Sequence, residues 1–164
     1  LTTFLHMARD VMARAAECLP PVRTSPDDRV IRRPSIAAGH IECADRGLAQ
    51  RLVDRYGDAA AEMAEAARPG ELDPIEGSTA CLAELRWSSS CEAVVHLDDL
   101  MLRRSRLGLL LPHGGDAVLG SVKPVVLEVL GWDGAAWRSE LQRYRDIVAR
   151  HYALPPGAAP LPEA

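Results

Sequence analysis

Between residues 84 and 106 the chain sets Glu84, Arg86, Glu92, Asp98 and Asp99 beside Arg103, Arg104 and Arg106. Guanidinium groups at this density can grip a phosphate, a nucleic acid or an anionic membrane through paired N–H donors. They can equally pair with the acids across neighbouring helices and lock a domain together. The acids lie in the same segment, so the second reading is preferred: a structural ion-pair network of Glu84, Arg86, Glu92, Asp98, Asp99, Arg103, Arg104 and Arg106. Such pairs fix geometry more surely than they add stability. The other reactive types form no pattern. His6, His40, His96, His113 and His151 stand in separate elements without ligand spacing. Ser88, Ser89 and Ser90 lack the Gly-x-Ser-x-Gly turn of a nucleophile elbow. Cys18, Cys43, Cys81 and Cys91 show no Cys-x-x-Cys pair, so reduced thiols are expected rather than a zinc site or disulfide scaffold.

The elements that must position these residues read as helices. Thr2 or Thr3 can cap a helix to about Leu19, with Phe4, Ala8, Val11, Ala15 and Leu19 on one stripe. Pro20 and Pro21 stop it, and Pro26 and Pro34 mark an extended linker. Asp45 opens a helix with Leu48, Leu52 and Tyr56 on a face, closed by Gly57. Asp58 caps an alanine-rich helix that ends at Pro69-Gly70. Ser78 or Thr79 starts the next, carrying Leu82 and Leu85. Asp98 and Asp99 begin another, where acid favours the positive end of the helix dipole, and Gly108 closes it. Asp116 caps a helix with Val118, Val122, Val126 and Leu130, in which Pro124 predicts a kink or a later start. Asp133 caps the last, with Trp137, Leu141, Tyr144 and Val148 at helical spacing. Met101, Leu102, Leu107, Leu109, Leu110 and Leu111 suit core packing, or else a membrane-facing element.

Composition agrees. Of the 164 residues 48% are hydrophobic but only 4% aromatic, which suits packed helices better than a β-sandwich. The net charge of −4 gives no support to a duplex-binding role, and no nucleic-acid partner is expected. No apolar run approaches the ~20 residues needed to span a bilayer. The fold class expected is all-α: a compact bundle of five to six helices preceded by one detached helix and an extended Pro-rich linker. The chain opens on Leu1 inside a helix start, as a piece of a longer polypeptide would.

One segment carries a resemblance. Ala83-Glu84-Leu85-Arg86-Trp87, then Glu92, then Leu97-Asp98-Asp99 and Arg103-Arg104-Ser105-Arg106-Leu107-Gly108 resemble the C-terminal domain signature of FAD-dependent glycerol-3-phosphate dehydrogenases, the alpha-glycerophosphate oxidase family included. Arg55-Tyr56-Gly57 and Leu130-Gly131-Trp132-Asp133 are similar to the flanking turns. Thr2-Thr3, with Met7-Ala8, resemble the end of the flavin-contacting segment, although Phe4-Leu5 replace the usual Tyr-Arg.

The resemblance implies a division of the chain. Residues 1–19 would be the last helix of an FAD domain, 20–40 a linker, 41–152 the helical accessory domain and 153–164 a disordered tail. It implies FAD in the parent protein, approached here only by Thr2 and Thr3, and no cofactor or catalytic residue in this piece alone. The parent would oxidise sn-glycerol 3-phosphate to dihydroxyacetone phosphate and pass electrons through FAD to quinone or oxygen. Implied partners are its own N-terminal FAD/substrate domain, a second copy in a homodimer, and peripheral contact with the inner face of the cell membrane from the cytoplasm. The competing reading is an independent helical binding module using Arg103–Arg106.

Overall fold

The computed structural model describes residues 3–20, 35–43 and 45–153. It divides into two units, Leu1–Arg33 and Pro34–Ala164. In the first unit, helix α1 spans Phe4–Ala15 behind Thr3. Its apolar residues Phe4, Met7, Val11 and Met12 are exposed.

The second unit is all-α, and among its described residues no strand forms. Helix α2 (Arg46–Tyr56) starts where the Asp45 carboxylate accepts from the Gly47 and Leu48 N–H groups, and it ends at Gly57 with φ 60°. Helix α3 spans Ala59–Ala66. Asp58 precedes it without a side-chain cap. Its carboxylate instead takes the Ser35 N–H, the Ser35 hydroxyl and the Ile36 N–H, so it fastens the segment before α2. Helix α4 (Leu82–Cys91) begins later than Ser78 or Thr79. Ser78 is held in a turn, where its hydroxyl donates to Ile75 O and accepts from Ala80 N–H. The cap comes from Glu84, which accepts the Cys81 N–H at 3.0 Å.

Next come a π-helical segment at Asp99–Arg104 and the four-residue helix α5 (Leu107–Leu110). Gly108 therefore does not close a helix but lies inside one. The break falls at Arg106, which is left-handed with φ 62°. A 3-10 stretch over Pro112–Val118 follows, then α6 (Leu119–Leu130). Pro124 sits within α6 rather than delaying its start. The proline forgoes one main-chain bond, while Val122, Val125 and Val126 on the same helix are buried. Gly131 ends α6 with φ 67°, and Asp133 caps α7 (Gly134–His151) through the Ala135 and Ala136 N–H groups.

Two apolar clusters fill this unit. Leu85, Leu97, Leu100, Met101, Leu107, Val122, Val126, Trp137 and Tyr144 belong to one. Leu48, Leu52, Val53, Met63, Cys81 and Ala83 belong to the other. Helix α4 contributes to both and packs most extensively on α6. That placement carries Glu84 into the interior.

Candidate functional site

Glu84 is 2% exposed, so its carboxylate must be neutralised from within. Arg51 and Arg55, one turn apart on α2, supply the charge. Arg51 meets both carboxylate oxygens, Nη1 at 3.0 Å, and Arg55 Nη1 lies at 3.5 Å. The Tyr56 hydroxyl donates at 3.0 Å. Burial opposes the Arg51 charge, yet the Glu84 bonds outweigh it and hold the guanidinium above its usual pKa. Burial and then the Glu84 charge push the Tyr56 phenol well up. Burial likewise raises the Cys81 thiol to about 11.

Asp98 is the second interior carboxylate, 1% exposed. Arg103 Nη1 reaches it at 2.5 Å, and Arg143 reaches it from α7. Asp99 shares Arg103 at 2.8 Å and also accepts the His96 and Val95 N–H groups. Although burial works the other way, those bonds hold Asp99 below the usual carboxylate range. Arg86 forms a bidentate pair with Glu71, both contacts at 2.7 Å, and extends to Glu128 at 3.0 Å. Arg68 also reaches Glu128, and the two guanidiniums lower its carboxyl to about 2.

The expected network is thus distributed over three clusters. Glu84, Arg86, Asp98, Asp99 and Arg103 each lie in one. Glu92 caps the end of α4 by its backbone, and among the described residues it makes no side-chain ion pair. The Arg104 carbonyl accepts from Arg55 at 2.8 Å, but neither the Arg104 nor the Arg106 guanidinium meets a described carboxylate. The backbone at Arg106 is left-handed, with φ 62°. Thr3 precedes α1 with an exposed side chain that makes no cap bond, and Thr2 lies outside the described residues. The partners missed by sequence reasoning are Arg51, Arg55, Tyr56, Glu71, Glu128 and Arg143. Only Arg51 and Arg55 carried a local signal, since they fall four residues apart on one α2 face.

Chemically, these clusters can hold helices in register. Their carboxylates accept from arginine, tyrosine and backbone donors, and no described group of three or more His, Cys, Asp and Glu residues is disposed to hold a metal ion. Among the described residues no helix is long and apolar enough to cross a membrane. A separate open groove of about 1290 Å³ runs between the 3-10 stretch and α7, with Leu109, Leu111, His113, Val148 and Tyr152 in its walls. Its floor is tight: the Tyr144 hydroxyl donates to the Gly114 carbonyl, and Arg145 pairs with Asp116 at the edge. Burial, then the Asp116 charge, pushes Tyr144 up to about 12.

Comparison with known proteins gives a consistent result. The family model described as the C-terminal domain of alpha-glycerophosphate oxidase matches residues 35–136. A glycerol-3-phosphate dehydrogenase of Mycobacterium leprae is 37% identical over 100 residues, covering 58% of this chain and 17% of its own length. Glycerol-3-phosphate dehydrogenase 2 of Mycobacterium tuberculosis is 29% identical over 160 residues, 87% of this chain and 27% of its own. Glycerol-3-phosphate dehydrogenase 1 of the same species is 33% identical over 135 residues, 75% and 24% respectively. The chain therefore spans only about a quarter, or less, of the curated relatives it matches. No solved structure matches it significantly.

Proposed function

The chain belongs to the family of the alpha-glycerophosphate oxidase C-terminal domain, and on that premise we propose that it is the accessory domain of an FAD-dependent sn-glycerol-3-phosphate dehydrogenase. In this reading the parent oxidises the substrate's secondary alcohol to the ketone of dihydroxyacetone phosphate. FAD, bound by the remainder of the parent, accepts the hydride, and the electrons continue to quinone or oxygen. The role of the present chain is structural. The match over residues 35–136 is the observation that carries the reading, and the use of Glu84 and Asp98 as interior ion-pair partners supports it. The proposed boundaries are 1–19 for the last helix of the FAD domain, 20–40 for the linker, 41–152 for the accessory domain and 153–164 for the tail. The reading places the parent in the cytoplasm or peripherally on the inner membrane face, and it accommodates a homodimer.

One part of the chain fits a contact with the flavin. Helix α1 starts directly behind Thr3, whose hydroxyl makes no cap bond, so among the described residues the first-turn N–H groups have no side-chain cap. Such an end attracts negative charge. Thr3 and those N–H groups would orient toward an anionic ring edge, whereas residues 35–153 would contribute no flavin contact.

The test is expression of the reading frame extended upstream of Leu1 beside the 164-residue chain. The extended protein should show flavin absorbance and glycerol-3-phosphate-dependent reduction of an electron-accepting dye, and the 164-residue chain neither. Flavin-dependent turnover by the short chain, or an extended protein devoid of flavin, would sink the proposal.

A further inference from the structure

The acid–arginine segment faces two ways. Its first half is sealed inside the bundle: Leu100 and Met101 are 0% exposed, and Leu102 is 6% exposed. Its continuation opens only in part: Ser105, Leu107 and Gly108 are buried, and the two residues that follow are not. Leu110 is 66% exposed and Leu109 44%, so these two depart from the core packing expected of the run, while Met101, Leu102 and Leu107 are buried and Leu111 packs against the core. Arg106 stands one turn before them, exposed, its carbonyl accepting the Leu109 and Leu110 N–H groups. Its guanidinium has no carboxylate partner among the described residues, in contrast to Arg103 three residues earlier. Leu109 is also a wall of the apolar groove, so the exposed leucines continue into a concave surface ending at Tyr152, itself 53% exposed. A contiguous apolar patch with an uncompensated cation at its edge is the composition of an interface rather than of a solvated face.

We infer that Arg106, Leu109, Leu110 and the adjoining groove form the seat on which the catalytic portion of the same polypeptide docks, through an apolar surface carrying a carboxylate that meets Arg106. This rests on the accessory-domain reading above. Two observations select the occupant. The relatives are about four to six times longer than the part this chain matches, so a large covalently linked body is at hand at high effective concentration. The exposed Arg106 guanidinium, with no carboxylate partner among the described residues, offers a charge that an acid on that body would complement. The left-handed backbone at Arg106 belongs to this arrangement, because it separates the inward π-helical segment from the outward turn.

The experiment uses the upstream-extended protein and follows amide hydrogen exchange over residues 106–115. In the wild type these amides should exchange at least tenfold more slowly than in Leu110→Asp or Arg106→Glu, two substitutions at exposed positions. The charge reversal Arg46→Glu, on the exposed start of α2, should leave that exchange unchanged. Equal exchange in wild type and both variants, in protein with bound flavin, overturns the docking site and leaves the family reading standing. Extended protein that binds no flavin overturns both. Protection that grows with protein concentration and tracks a doubling of mass assigns the patch to a second copy and also overturns the proposal.

Discussion

A carboxylate nearly sealed from solvent is tolerable only while its cations stay in place, and Glu84 and Asp98 are both in that position. Glu84→Gln keeps the shape but removes the charge that compensates Arg51. It should cost about 3 kcal/mol in urea unfolding, and the double change Arg51→Met with Glu84→Leu should recover only part of that loss, because Arg55, the Tyr56 hydroxyl and the Cys81 N–H would still lack their acceptor. A double variant no more stable than Glu84→Gln would show that the pair does more than neutralise itself. The acid limb of stability follows from the same groups. Glu71, Asp99 and Glu128 all have folded pKa values below the ordinary carboxyl range, so the folded state binds fewer protons than the unfolded chain. Their contribution is present above the ordinary glutamate value of 4.5 and is lost as pH falls toward about 2. The urea midpoint should therefore drop across that window, and Glu128→Gln should flatten part of the drop. Much of this chemistry was legible in the sequence, because Asp98, Asp99 and Arg103 share one short segment. Arg51 and Arg143 were not, since they reach their acids from 33 and 45 residues away, and only the packing of α2 and α7 brings them close.

Helix ends separate what local patterning can and cannot reveal. Asp45 and Asp133 cap as their positions imply, each accepting two backbone N–H groups, and alanine at either should cost about 1 kcal/mol in denaturant titration. Asp116 has the same local look but instead pairs with Arg145, because His113, Gly114 and Gly115 all take positive φ and postpone the helix to Leu119. Glycines divide in the same manner. Gly131 is left-handed in open space, so alanine there meets only backbone strain of about 1 kcal/mol. Gly108 has an ordinary helical backbone, yet a Cβ would collide with the Tyr144 hydroxyl, Leu102 and the Met101 carbonyl. Gly108→Ala should therefore cost more, about 2–3 kcal/mol, and should perturb tyrosine fluorescence, which Gly131→Ala should leave alone. A sequence reading takes Gly108 for a helix terminator because glycine's commonest helical duty is at the C-terminal end; its crowding depends on a tyrosine 36 positions further along.

Across the second unit, the two apolar clusters are joined rather than separate, since Leu85 belongs to one and Cys81 and Ala83 to the other, all within or beside a single helix. Trp87 packs on the second cluster and Trp137 lies in the first. Proteins in which only one of these tryptophans reports should therefore unfold with the same denaturant midpoint, and midpoints differing by more than experimental error would mean that the clusters melt independently. The all-α class was readable from residue spacing and few aromatics. The double use of α4 was not, because a helix covered on both sides loses the one-sided stripe that marks an amphipathic element. The π-helical segment extends this dependence down the chain. There the Ser105 N–H and hydroxyl both bond back to the Leu100 carbonyl, five residues earlier, so the turn accommodates one residue more than an α-helical turn would. Removing a single residue between 99 and 104 would let the stretch close into ordinary α-helical winding with α5 kept near its present orientation, whereas one residue more would find no such slack and would rotate everything beyond it about the helix axis. An added residue would carry Arg103 away from the Asp98 carboxylate and turn α5 elsewhere, so this stretch should accept a deletion more readily than an insertion.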